Sequence, residues 1–427
     1  MNLTREQQTI GRRNFLKALA GTPALAALGA AAVVKGPVRG GPVRVGFIGV
    51  GAQGRVQLEN ADPAYADVRA LCDINPASLA KADEILAKTG RPPARHYVEW
   101  KDMLEKEDLE AVIMAPPLWM HAELASGCLE AGKHVLCEKM MAWDLAGCDR
   151  MIKAAEKSGR ILEIGYQRNY NPMYQAAYDG IIKAGVLGDV FHTRLAWHRN
   201  ANWRRKGEPP SPDYDPSRWG YPTFDHLWNW RLYWKYSQGL FAELASHQLN
   251  VANWFFGATP SAVSASGGLH RFKDGVREVY DHVYATFEYP GGRTVTFSSI
   301  ESNAFDQYYE TYFGTKGTLI LEREHDAFLF EESAAAAGPT AIEVTAKTGG
   351  PAVDASESRP ASAASTLKSV TPDATSRPSA TRFESARFCE AIRVNRPVAC
   401  GPERALHSAR ACILANEAIR KQTRLAI

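Results

Sequence analysis

Glu243 and His247, in the stretch GLFAELASHQLN from 239 to 250, stand four residues apart, so a helix there stacks them one turn over the other on a single face. A carboxylate so placed orients an imidazole and raises its basicity, which suits a general base that takes a hydroxyl proton while hydride leaves the same carbon. A capping or core histidine is the alternative reading of His247. Metal ligation is a poorer one, because no third ligand follows at helical spacing, and no metal is expected. Anion chemistry is written in Gly49-Val50-Gly51-Ala52-Gln53-Gly54, which follows the apolar run VRVGFI (43–48) and opens a helix. Gly49 permits the tight turn, Gly51 lets backbone N–H groups approach a pyrophosphate, and Gly54 allows close helix–strand packing. The N–H groups at the helix start, with Ala52 and Gln53, then hold the anion. Nineteen residues after Gly54, the run DVRALCD ends in Asp73, where a carboxylate binds the adenine ribose diol. That acid favours NAD over NADP, since a 2′-phosphate would meet a like charge. A plain glycine turn followed by a capping aspartate is the competing reading.

Seven of the ten tryptophans (197, 203, 219, 228, 230, 234 and 254) fall between 197 and 254, interleaved with tyrosines, in a stretch too rich in Pro, Gly and Asp to be one regular element. It reads as a long functional loop. Flat aromatic faces with polar edges suit the CH faces and hydroxyl rim of a sugar, although core packing accounts equally well for any single tryptophan. Trp228, Arg231 and Tyr236 are the expected wall of a sugar site, with Arg168 and Tyr170 of GYQRNYNP at the domain junction.

The elements that must position these groups come in two grammars. AVIMA (111–115), HVLCE (134–138) and RILEIGY (160–166) alternate with helical stretches, which predicts an α/β, doubly wound parallel sheet over 41–166, with its ligand crevice at the carboxyl ends of the strands. From 167 to 332, strand-like segments at 190–197, 261–267, 282–289, 293–300, 307–314 and 318–322 come nearly back to back. They predict an α+β domain with an open, mostly antiparallel sheet, one face under helices and the other free for subunit contact, hence a homo-oligomer.

Gly49 to Gly54, Asp73, Pro116 with His121 beyond it, and above all AGKHVLCEK (131–139) resemble the Gfo/Idh/MocA family, named after glucose-fructose oxidoreductase, inositol dehydrogenase and a rhizopine catabolism protein. The resemblance implies a Rossmann NAD(P)-binding domain and substrates that are mainly sugars and other polyols. It implies cofactor contacts from Pro116, His121, Glu138 and Lys139, and it makes Lys139 a catalytic lysine brought to the nicotinamide. Two departures stand out: Met140 replaces the proline of the family's acid-lysine-proline motif, and Glu243 replaces the aspartate of its Asp-x-x-x-His motif. The first predicts a differently shaped turn after Lys139. The second lengthens the acid arm by a methylene and shifts it from substrate contact towards support.

Composition bounds the rest. With 45% hydrophobic and 23% charged residues and a formal charge of +3, the 427-residue chain has no dense basic block, so nucleic acid is not expected as a partner. Seven cysteines without a C-x-x-C pair predict buried thiols, not a disulfide framework or a zinc finger. Residues 1–40 contain Arg12-Arg13 ahead of an Ala/Leu run broken by Gly21 and Pro23, which resembles a twin-arginine signal cut between Gly29 and Ala32. A membrane span is the alternative, but the interruptions argue against a stable anchor. The mature protein is then expected in the periplasm or outside the cell. Residues 333–380 are dominated by small and polar residues and read as a disordered insertion, after which 381–427 resumes as helix packed on the body. A nicotinamide enzyme exported this way must hold and regenerate its cofactor in place. Three readings follow: a sugar or polyol oxidoreductase, a redox-neutral NAD-dependent glycosidase, and a non-catalytic carbohydrate-binding protein on a Rossmann fold.

Overall fold

The computed structural model describes residues 3–25, 40–332 and 379–427, together with the backbone of 344–347 and 350–353. The first helix, α1 (Arg5–Leu19), begins with a capping box in which Thr4 and Gln7 satisfy each other's backbone N–H groups. It lies against the edge of the second sheet, with Phe15 and Leu19 buried. The segment expected to be a leader thus starts as a docked helix. The expected cleavage region at 29–32 lies outside the described residues.

The first domain alternates strand and helix: β1 (Val43–Ile48), α2 (Ala52–Asn60), β2 (Ala66–Cys72), α3 (Pro76–Lys88), β3 (Arg95–Tyr97), α4 (Trp100–Lys106), β4 (Ala111–Met114), α5 (His121–Glu130), β5 (His134–Glu138), α6 (Leu145–Ser158) and β6 (Leu162–Gly165). The sheet order is β3-β2-β1-β4-β5-β6, and every neighbouring pair is parallel. With helices on both faces, β4 and β6 are buried at every position, which is why their sequences are unbroken apolar runs except for Glu163. Strand order reverses between β1 and β4, so the crevice opens where Gly49 and Pro116 leave their strands.

The second domain begins with α7 (Pro172–Ala177) and the long strand β7 (Val190–His198). An irregular strap from 199 to 239 follows and carries only the short α8 (Phe224–Trp228) and 3-10 turns. After α9 (Ser246–Phe256) come β8 (Ala262–Gly268), β9 (His282–Tyr289), β10 (Arg293–Ile300), β11 (Tyr308–Gly314), β12 (Gly317–Glu322) and β13 (Asp326–Glu331). The sheet order is β13-β12-β11-β7-β10-β9-β8, extended at the β8 edge by Leu425–Ala426. All pairs are antiparallel except β7 with β10, which run parallel at the centre because the strap, α9 and β8–β9 lie between them in the chain.

Two helices close the chain. Helix α10 (Ala380–Val394) returns to the first domain, where Phe388 and Cys389 join Val43, Val45 and Phe47 in one apolar cluster. Asn395 ends it in the left-handed conformation, and Pro402 starts α11 (Pro402–Lys421). Helix α11 packs on α9, α6 and β8. A single core cluster runs from Val112 and Met114 through Met140, Met141 and Phe241 to Phe287, Phe297 and Cys412, so the two domains share one apolar interior. Of the stretch 333–380 expected to be disordered, an antiparallel backbone pairing of Val344–Lys347 with Gly350–Val353 is described, Ser379 and Ala380 belong to the start of α10, and the remainder lies outside the described residues.

Candidate active site at the domain junction

Each glycine of the 49–54 loop meets a different spatial demand. Gly49 has φ 79°, and a Cβ there would lie 2.8 Å from the Pro116 nitrogen. A Cβ at Gly54 would fall 1.9 Å from the Gly49 carbonyl oxygen, so helix and turn touch backbone to backbone. Gly51 faces open space, and as N-cap of α2 it offers no side chain to the helix's first N–H groups. That leaves a bare, positively polarised cradle, which fits a dinucleotide pyrophosphate. Asp73 accepts from the Val50 and Asn75 N–H groups at 2.9 and 2.8 Å, which aims it into the same crevice. Burial pushes its carboxyl up to about 6 against the pull of those two bonds.

The next ring of residues comes from the ends of β4 and β5. His121 lies buried between two carbonyls, Nδ1 2.8 Å from Met140 O and Nε2 3.2 Å from Pro116 O, and so ties the two turns together. Burial lowers its pKa to about 4 despite those acceptors, so it is a neutral ring that donates from one nitrogen. Glu138 Oε1 accepts from Gln53 Nε2 at 2.8 Å and Gln57 Nε2 at 2.7 Å. The Lys139–Met140 peptide bond is cis, Met140 is buried, and the Lys139 side chain reaches across to the second domain. There its ammonium donates to the carbonyls of Ala242 and Glu243, at 3.3 and 3.0 Å, and lies 3.8 Å from Glu243 Oε2.

Glu243 departs from the expected arrangement. Phe241–Ala245 is a π-helical turn leading into α9, so the four-residue spacing no longer stacks Glu243 on His247. The carboxylate instead accepts from Arg231 Nε at 2.8 Å and faces Lys139. Burial would raise its pKa, but Arg231, Lys139 and Arg205 outweigh it and hold Glu243 at about 2. His247 Nδ1 is buried without a hydrogen-bond partner among the described residues, and the ring packs 6.0 Å from both Tyr166 and Trp197. Burial, then the charges of Lys139 and Arg168, push the imidazole well below its usual range, so it stands neutral.

These groups enclose a cavity of about 220 Å³ lined by Gln53, Pro116, His121, Glu138, Lys139, Trp197, Trp230, Arg231, Glu243 and His247, among others. Of the expected sugar wall, only Arg231 reaches it. Arg168 is buried in ion pairs with Glu310 and Glu324 at 2.5 and 2.8 Å. Tyr170 gives its hydroxyl proton to Glu163 and accepts from Ala399 N, bracing the chain before α11. Tyr236 is buried and donates to the Gly220 carbonyl within the strap, and Trp228 stacks on Phe224 outside the cavity. Trp197 and Trp230 line the cavity instead, and nothing in their local sequence separates them from the other tryptophans. Gln57, which buttresses Glu138 from α2, carried no sequence signal at all.

The strap packs over the first domain's crevice. Trp119 donates to Tyr221 at 2.8 Å and packs on Tyr236, while Tyr214 donates to the carbonyl of Ile74, the residue after Asp73, at 3.0 Å. Ile74 and Trp119 join Tyr221, Leu232, Tyr233 and Tyr236 in one apolar cluster. The aromatic segment therefore roofs the crevice beside Asp73 and supplies Trp230 and Arg231 to the cavity.

A dinucleotide cradle opening onto this cavity defines a class of two-domain, nicotinamide-binding protein. Residues 43–166 match the Gfo/Idh/MocA profile described as an oxidoreductase family with an NAD-binding Rossmann fold, and residues 176–320 match the C-terminal domain of the same family. The two matches together take in more than half of the chain, and the protein belongs to the Gfo/Idh/MocA oxidoreductase family. It is 32% identical over 132 residues to a 4-carboxy-2-hydroxymuconate-6-semialdehyde dehydrogenase of Sphingobium sp., covering 31% of this chain and 41% of that one. A glycosyl hydrolase family 109 protein of Shewanella baltica is 28% identical over 194 residues, covering 44% and 39%. The chain thus spans about two-fifths of the length of these curated relatives. In structure it resembles the apo scyllo-inositol dehydrogenase of Lactobacillus casei, with a TM-score of 0.63, 19% identity and coverage of 90% of this chain and 98% of that one.

Proposed function

We propose that the protein is an NAD-dependent oxidoreductase acting on a sugar or polyol, with hydride passing between a carbinol carbon and a tightly held nicotinamide. The observation that carries this reading is the convergence of Lys139, Glu243 and His247 from two domains on one cavity beside the glycine cradle. Gly49, Gly51 and Gly54 with the start of α2 would hold the pyrophosphate, and Asp73 the adenine ribose, which favours NAD over its 2′-phosphorylated form. When bound, the nicotinamide supplies the hydride acceptor. Neutral His247 is free to take the hydroxyl proton, and the Lys139 ammonium, pinned by two carbonyls and Glu243, stabilises charge on the substrate oxygen. Trp197 and Trp230 put apolar indole surface on the cavity wall against the ring's CH groups. The aromatic roof over the crevice supports retention of cofactor between turnovers.

Absorbance of the purified protein tests the core of this reading. Nicotinamide released on denaturation is the expected result, and none released together with none bound on addition removes the proposal. Lys139→Ala and His247→Ala should each abolish turnover while leaving sugar binding in place. Retained turnover in both would exclude catalytic roles for them, and a wild-type protein that binds sugar without ever turning it over would be a carbohydrate-binding protein.

The likeness to the Shewanella glycosyl hydrolase, together with the roofed crevice, favours a second reading in which the net reaction is redox-neutral. A ring hydroxyl is oxidised to a ketone, the acidified neighbouring C–H permits elimination of the glycosidic group, water adds, and the ketone is reduced again. Mass spectrometry of products separates the two: a sugar two hydrogens lighter for oxidation, or a glycoside cleaved with uptake of one water. Export by the twin-arginine route to the periplasm and homo-oligomerisation through the uncovered face of the second sheet complete the proposal. Fractionation of cells and native mass spectrometry test them, and an Arg12→Lys, Arg13→Lys double substitution should strand the protein in the cytoplasm.

A further inference from the structure

Arg199 follows directly on β7, where its backbone N–H donates to the Ile300 carbonyl at 2.8 Å. Its guanidinium sits over two indoles, 5.8 Å from the ring centre of Trp197 and 5.4 Å from that of Trp203. Trp197 is itself held flat against Tyr308, with centroids 4.3 Å apart, and forms part of the cavity wall. The arginine is half-buried, yet among the described residues its side chain has no ion-pair partner and no hydrogen-bond acceptor. The carboxylates within its electrostatic reach, Glu301 and Glu243, are committed elsewhere. Glu301 pairs with Arg277, both side chains fully buried, and Glu243 serves Arg231 and Lys139. Burial lowers the pKa of Arg199, and the nearby charge of Arg231 adds to that effect.

A guanidinium between aromatic faces has surrendered the hydration of its planar faces while its edge N–H groups stay available, and its plane is fixed in advance. Those edge donors match the two oxygens of a carboxylate. On the cavity wall Lys139 and Arg231 are matched by Glu243 and Glu138, so Arg199, which stands behind Trp197 within electrostatic reach of Glu243 and Arg231, is a cation in excess of that balance. We propose that Arg199 is a specificity-determining residue for a carboxylate, and that the substrate is a sugar acid, a uronic acid or its glycoside, in place of a neutral sugar. The proposal rests on reading this cavity as the sugar site and names the class of sugar it takes.

The test uses cofactor-loaded holoprotein and matched probes: methyl β-D-glucuronide against methyl β-D-glucoside, and the two galacto counterparts. Binding is read by tryptophan fluorescence and turnover by nicotinamide absorbance. At least one acid should bind about tenfold or more tighter than its neutral twin, the scale of a charge-assisted bidentate contact. Sodium chloride at 0.5 M should shrink that preference. Arg199→Gln should erase it by raising KM for the acid while kcat changes less than threefold and bound nicotinamide is retained. Arg199→Lys, which keeps the charge but not the fork, should keep part of it and serves where the glutamine variant does not fold. Equal or weaker binding of both acids, no acid binding at all, or a preference unchanged in both variants overturns the proposal. Acid binding that depends on Arg199 without any hydride chemistry would uphold this inference and sink the oxidoreductase reading alone.

Discussion

Replacing Glu243 by Gln keeps the shape of the side chain and deletes the one carboxylate that balances Arg231 and Lys139, 2.8 and 3.8 Å away. In the folded protein this acid titrates at about 2 instead of 4.5, with the charge of the neighbouring cations exceeding the cost of burial. A difference of that size corresponds to ~3 kcal/mol favouring the ionised form in the fold. The folded-state value is depressed, so this contribution is fully present above the unfolded value near 4.5 and is lost as the pH falls towards 2. Glu243→Gln imitates the protonated state at every pH. Urea unfolding followed by tryptophan fluorescence should therefore find the variant less stable by ~3 kcal/mol at pH 7, with the same gap at pH 6 and a gap narrower by ~1 kcal/mol near pH 3.5. A gap under ~1 kcal/mol at pH 7, or one that stays constant down to pH 3.5, would refute the view that the carboxylate is the electrostatic keystone between the two cations.

Gly54→Ala must push α2 away from the Gly49 turn and should cost ~2 kcal/mol or more in unfolding free energy as well as nicotinamide binding, whereas Gly51→Ala, whose Cβ meets nothing, should leave stability within ~0.5 kcal/mol and weaken only the cofactor, as denaturation and NAD titration would show. Asp73, raised to about 6 by burial, loses its charge below that pH, so NAD affinity should fall between pH 7 and 5 in the wild type and stay flat in Asp73→Asn, measured by fluorescence titration. Arg168→Met leaves buried Glu310 with no ion-pair partner among the described residues and should cost ~3–5 kcal/mol in chemical denaturation, because a buried acid loses its cation.

Much of the frame could be read without coordinates because it depends on local rules. The Gly49–Gly54 loop after an apolar strand, the alternation up to 165, and all six expected later strands, each within a residue at either end, rest on period and turn chemistry. Strand β13 lies outside the expected set because DAFLFE follows closely on β12 with no clear turn signal between them, and β3 because three residues carry no period.

The chain's own order of residues was enough to determine that a pyrophosphate cradle and an acid at the end of β2 would meet at the carboxyl ends of neighbouring strands, since both are set within one βαβ unit. Which tryptophans face the cavity, and what each charged residue is spent on, only the tertiary structure could decide. Trp197 and Trp230 line the site while Trp228 does not, Arg168 is consumed by Glu310 and Glu324, and one π-helical turn moves Glu243 from His247 to Arg231 and Lys139. Those outcomes depend on contacts between residues far apart in the chain, such as Arg168 with Glu324, 156 positions away, and on a change of helical pitch that no local periodicity announces.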